Sequence, residues 1–226
     1  MAAGMHEVLL MDAIVDPSKI PHNVTYAVLA SVILITSALV IRRSLRMVPT
    51  GFQNFVEAVV ETFLKLSEEN IGHHWGKTFF PLIGTLFMFI LLCNFMGLIP
   101  GFASPTSDIN TNAAMAIPVF LATHFYGVRA HGLNYIKHFL GPIWWLSPLM
   151  FIIEFIGHLV RPITLSVRLF GNMAAKHIIL GVLATLAPLF IPILILGLGT
   201  LVSLIQAFVF VLLTTLYLAG AVEEGH

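Results

Sequence analysis

From Leu189 to Ala221 the chain carries no charged side chain. That run exceeds the roughly 20 residues an α-helix needs to cross a bilayer. In lipid every backbone N–H and C=O must find a partner within the protein, which leaves helices or closed barrels. Barrel strands alternate polar and apolar residues, and the long apolar runs here do not. The 226 residues are 58% hydrophobic and only 10% charged, against about 25% charged for a soluble domain. The expected fold is an all-α integral membrane protein, a single membrane domain over 1–226. A formal net charge of zero offers no basic surface for nucleic acid. Cys93 is the single cysteine, so no internal disulfide can form. Met1 to Asp16 has acidic residues and no basic cluster ahead of an apolar core, unlike a cleaved signal peptide.

About five membrane-crossing helices and one interfacial helix are expected. The first span, 26–41, stops at Arg42, Arg43 and Arg46, a cluster that belongs in the cytoplasm and leaves the N-terminus outside. Within 51–70, Phe52, Phe55, Val56, Val59, Val60, Phe63 and Leu64 recur at helical spacing, while Glu57, Glu61, Glu68 and Glu69 take polar positions. Such a segment lies along the cytoplasmic interface as an amphipathic helix. A second span covers 79–100. The loop 101–112 has Asp108 but no lysine or arginine, as expected of the outer face. A short third span, 113–126, returns to Arg129 and Lys137, after which Trp144 and Trp145 mark an interface. Two long helices follow, 142–188 and 189–222, each longer than an upright crossing needs and therefore tilted. The C-terminus is then cytoplasmic.

Arg168 interrupts this apolar background at depth. A guanidinium at the bilayer centre costs ~2.5–3.5 kcal/mol on the insertion scale, and arginine cannot shed its proton to escape. Arg168 is therefore the leading candidate for the functional centre. At ~100° per residue, Glu154, His158, Arg161, Arg168, Asn172 and Lys176 fall within roughly 40° of one line down a helix. From Glu154 to Lys176 that line rises about 33 Å, close to the thickness of the hydrocarbon. His177 lies off it, and Pro162 bears on the register. A polar track from face to face is what an ion path requires.

Plainer readings stand beside this one. Glu154 and Arg161 either line a path or snorkel to the interface, and Lys176 and His177 do the same at the other end. His158 is either part of the track or a core histidine satisfied by a carbonyl. Asn172 and Gln206 either line a path or join helices. The ten histidines are scattered, with no H-E-x-x-H and no cysteine partners, so no metal or cofactor is expected. There is no G-x-S-x-G and no phosphate-binding glycine loop. A secondary transporter would show repeated halves, and an intramembrane hydrolase would need a nucleophile and base or a metal pair. Neither pattern is found.

The segment Arg161-Pro162-Ile163-Thr164-Leu165-Ser166-Val167-Arg168-Leu169-Phe170-Gly171-Asn172 resembles subunit a of the F-type ATP synthase membrane sector. Glu154 extends the likeness upstream, and Gln206, Ala207, Phe208 and Phe210 extend it downstream. Asn94-Phe95-Met96-Gly97-Leu98-Ile99-Pro100 and Pro105-Thr106-Ser107-Asp108 also resemble that family.

The resemblance implies a non-catalytic stator that abuts a rotating c-ring of small hairpin subunits, held by peripheral-stalk b subunits in a bacterial plasma (inner) membrane. It implies two offset proton half-channels with Arg168 between them, Glu154 in the cytoplasmic half, and Asn172, His177 and Gln206 in the outer half. The chain departs from the family's pattern twice. Lys176, a modulator of the outer path, stands where the family often has a small residue. Gly199 stands where many members carry a second ionisable group.

Overall fold

The computed structural model describes residues 21–43, 51–99, 101–132, 135, 145–186 and 190–222. Six α-helices follow one another among them: α1 (His22–Arg43), α2 (Phe52–Ile71), α3 (His73–Met96), α4 (Ile109–His131), α5 (Ser147–Leu186) and α6 (Phe190–Val222). A short 3₁₀ turn, Pro105–Ser107, joins α3 to α4. No strand occurs among the described residues.

Four helical segments are long and apolar enough to cross a membrane: His22–Arg43, His73–Met96, Ser147–Lys176 and Leu196–Val222. The third expected span corresponds to α4, whose 23 residues rise about 35 Å. It is less apolar because it carries Asn112 and Thr123, both buried against its neighbours. With 40 and 33 residues, α5 and α6 run about 60 and 50 Å, well beyond a ~30 Å hydrocarbon core.

The α2–α3 corner depends on two glycines. Gly72 has φ 88, a conformation that a side chain strains. A Cβ on Gly76 would stand 2.8 Å from the Glu68 Cα, so only a bare backbone lets α3 start this close to α2. Ser67 Oγ closes the corner by donating to the Gly76 carbonyl at 2.9 Å. The core then forms where α3, α4, α5 and α6 meet, around Phe79, Ile83, Leu165, Leu169, Phe210 and Val211. By contrast, α1 touches the bundle mainly at its first turns, through Tyr26 and Ala30 against Cys93 and Met96. Val28, Val32, Ile35, Leu39 and Val40 of α1 stay exposed, as suits a helix facing lipid or a partner.

A polar knot ties the connection between α3 and α4 to the bundle. Thr106 Oγ1 donates to Asn94 Oδ1 at 2.7 Å, and Asn94 Nδ2 donates to the Ser203 carbonyl of α6 at 3.2 Å. Ser104 Oγ donates to the Cys93 carbonyl at 3.0 Å and lies 2.8 Å from Thr106 Oγ1. Each hydroxyl has one proton, so two protons are shared among three contacts. Asp108 caps α4 by accepting from Asn110 N at 3.0 Å, while its other oxygen accepts from Asn23 of α1 at 3.0 Å. The acid of the 101–112 loop is thus a helix cap and a clamp.

Candidate functional site

Helix α5 continues through Pro162, whose ring removes one backbone donor and whose own carbonyl accepts from Ser166 Oγ at 2.8 Å. The helical register therefore holds along the polar line, and burial varies across it in a regular way. His158 and Lys176, on one edge of the line, are buried at 7% and 8% exposure. Glu154 and Arg161 are intermediate, Arg168 at the other edge is exposed, and Asn172 on the midline is exposed as well. The stripe thus straddles the boundary between the packed face of α5, centred on Leu165, Leu169 and Met173, and its open face.

Arg168 lies on that open face near the middle of α5. No carboxylate among the described residues pairs with it. Around it the open face carries small residues: Gly157, Thr164, Gly171 and Ala175 are all exposed. A Cβ added at Gly157 or Gly171 would meet nothing within 4 Å. A fixed cation thus stands in a shallow, small-residue surface that another helix can approach closely.

One turn beyond Arg168, Asn172 Nδ2 donates to Gln206 Oε1 of α6 at 2.5 Å. This bond brings together two of the residues singled out in the sequence, and Gln206 is buried at 4% exposure. One further turn along, the Lys176 stem lies over Gly199. A Cβ there would stand 3.2 Å from Lys176 Cδ and 3.1 Å from Leu98 Cδ2. Lys176 Nζ is buried and has no hydrogen-bond partner among the described residues. The two family departures noted in the sequence therefore meet in space, the bare glycine making room for the long cation. The side chain of His177 lies outside the described part of the structure.

At the other end, Glu154 Oε1 is 3.2 Å from His158 Nε2. Arg161 places its guanidinium 5.0 Å from the ring centroid of Tyr217 on α6, a cation–π contact that turns it inward. A small pocket opens beside them, lined by His124, Thr123, His158, Arg161, Pro162 and Tyr217 among others. His124 belongs to α4 and was not singled out from the sequence. Its ring centroid lies 5.2 Å from that of His158. Nothing in sequence spacing signals the pair, because the two residues sit on different helices.

Among the described residues, six helices, four of them with segments long and apolar enough to cross a membrane, define a multi-pass helical membrane protein. Residues 24–219 match the ATP synthase A chain family, and the chain belongs to that family. It is 51% identical over 203 residues to ATP synthase subunit a of Trichlorobacter lovleyi, a match covering 90% of this chain and 88% of that one. Similar relatives are ATP synthase subunit a of Geobacter sulfurreducens, 50% identical with the same coverage, and ATP synthase subunit a 1 of Syntrophotalea carbinolica. The latter is 52% identical over 90% of this chain and 87% of its own.

Proposed function

We propose that this chain is the non-catalytic stator of an F-type ATP synthase membrane sector. It provides two offset proton half-channels and presents Arg168 to the carboxylates of a rotating c-ring. The observation that carries this reading is the placement of Arg168, a cationic side chain exposed on a small-residue face at mid-helix and paired with no carboxylate among the described residues. A carboxylate supplied by a passing rotor helix completes the pair. A ring carboxylate in apolar surroundings holds its proton. A guanidinium at ~4 Å contributes about 4 kcal/mol at an effective dielectric of ~20, or roughly three pKa units. That strips the proton as the carboxylate passes, and the same fixed charge blocks direct leakage between the half-channels.

The half-channels follow from the rest of the stripe. Asn172, Gln206 and His177 belong to the outer half, with Lys176 as a modulator that places a second cation beside it. Glu154 belongs to the cytoplasmic half. In this reading the Glu154 end of α5 is cytoplasmic and the N-terminus outside, in a bacterial inner membrane, and the basic cluster after α1 supports that orientation. The apolar outer face of α1 suits lipid and the b subunits of the peripheral stalk.

In reconstituted vesicles holding the whole ATP synthase, Arg168→Ala abolishes ATP-driven proton pumping while the subunit still inserts and assembles, since its removal lowers the insertion cost. Arg168→Lys fails as well, because a buried lysine can lose its proton and lacks the planar fork. Normal pumping by either assembled variant overturns the proposal.

A further inference from the structure

Three hydrogen-bond donors on the seam between α5 and α6 are buried with no acceptor to receive them. Lys176 Nζ, Ser203 Oγ and Gln206 Nε2 have no partner among the described residues, and each of the three residues is more than nine-tenths buried. Helical register places them on one seam. Gly199, Ser203 and Gln206 follow at intervals of four and three along α6, and Asn172 and Lys176 at four along α5, so each set shares a face. The Asn172–Gln206 bond and the Lys176 stem over Gly199 hold the two faces together. Ser203 stands between those contacts, one turn from either. The end of α3 closes the third side, with Leu98 beside Gly199 and Asn94 Nδ2 on the Ser203 carbonyl at 3.2 Å.

A buried donor left unpaired costs free energy, and an ammonium costs the most. No carboxylate among the described residues pairs with Lys176, and the Gln206 amide oxygen already accepts from Asn172. The orphaned acceptor Asn112 Oδ1 belongs elsewhere, because its own amide nitrogen reaches the Ser166 carbonyl. Ser166 lies ten residues before Lys176, or about 15 Å along α5. A water that accepts from one of these donors still has two protons of its own to place. An anion accepts from all three and has none. Burial keeps out a lipid phosphate and a rotor carboxylate alike, which leaves a small ion.

We propose that Lys176, Ser203 and Gln206 bind one small monovalent anion of the halide class between α5 and α6. The ammonium supplies the charge, and the hydroxyl and amide supply the remaining hydrogen bonds. The bound ion neutralises Lys176 and ties α5 to α6 beside the Asn172–Gln206 bond, so it stabilises the native chain. Gly199 is what admits the lysine stem to this seam, and the two departures from the family's pattern together make the site. The inference goes beyond the stator reading and does not depend on what Arg168 does.

The test uses the purified intact ATP synthase, with chloride exchanged for gluconate at constant ionic strength and pH. The temperature at which this subunit dissociates is followed as the chloride concentration rises. In the parent, chloride and bromide each raise that temperature in a saturable way, as a ligand of the native state must, while gluconate, too large for the site, does not. Lys176→Met keeps the stem over Gly199 and loses the saturable rise. Ser203→Ala raises the half-saturating chloride concentration about tenfold, for the loss of one hydrogen bond to a charged group. A parent that responds alike to chloride and gluconate overturns the proposal and leaves water on these donors. A saturable rise that survives unchanged in Lys176→Met also overturns it, because the ion then binds elsewhere. If Lys176→Met does not assemble, Ser203→Ala decides alone, and an unchanged half-saturating concentration overturns the site. Arg168→Ala lies outside the site and keeps the rise whether or not it pumps protons. Failure of the anion site and failure of the stator reading are therefore read separately.

Discussion

A methyl group at position 199 would stand 3.2 Å from Cδ of Lys176 and 3.1 Å from Leu98 Cδ2, so the pair acts as one packing unit. Gly199→Leu overfills the gap between α5 and α6 and is expected to cost about 1–3 kcal/mol. Lys176→Ala empties the same space, and the double variant should recover much of the loss. A double-mutant cycle on the thermal stability of the purified complex reads this coupling, because residues sharing one space are not additive. Additive effects would mean that the lysine stem does not occupy the gap. The same unit bears on function. Lys176→Gly is expected to change the dependence of proton-driven ATP synthesis on outer pH, and a profile overlaying the parent would make the lysine a packing residue only.

The element that most depends on its hydrogen bonds is the α3–α4 connection. Thr106, fully buried, links Asn94 and Ser104 through its hydroxyl, and its carbonyl accepts from Asn112 Nδ2 at 2.9 Å. Thr106→Val keeps the shape but leaves Asn94 Oδ1 without that donor, at an expected cost of about 1–3 kcal/mol. Thr106→Ser keeps the hydroxyl and should lose far less. Resistance of the complex to thermal dissociation distinguishes the two. Gly97 makes the fold-back possible, since a Cβ there would lie 2.5 Å from the Ser104 Cβ. Because Asn94 reaches the Ser203 carbonyl and Asn112 reaches the Ser166 carbonyl at 3.4 Å, loosening this connection also frees α5 and α6 near Arg168.

Across the whole molecule the stripe on α5 is divided. Towards the Lys176 end it is bonded to α6 through Asn172 and Gln206, and towards the other end it closes on α4 and α6 through His158 and Arg161. Between them Arg168 faces outward. Offset half-channels predict that Asn172→Cys and Glu154→Cys react with hydrophilic thiol reagents from opposite sides of the membrane. Ile163→Cys should stay protected, because Ile163 is 54% exposed in the isolated chain on an apolar face that lipid covers. Labelling of both polar sites from one side, or protection of both, would rule out the offset arrangement.

Helical crossing was legible from the apolar runs alone, because a lipid-facing backbone has to satisfy its hydrogen bonds within each segment. Arg168, Glu154 and Asn172 were legible for a related reason: an ionic or amide group in such a run is costly, and 3.6-residue spacing aligns them on one helix. What spacing within a helix cannot record is how that helix is rotated against its neighbours. Only the packing of Leu165, Leu169 and Met173 turns His158 and Lys176 inward and leaves Arg168 outside. Asp108 as a cap and clamp, the Lys176 stem over Gly199, and His124 beside His158 likewise depend on contacts between segments far apart in the chain. Those contacts are decided by which helix faces close against each other, and each helix's own sequence specifies only that it has a face to close.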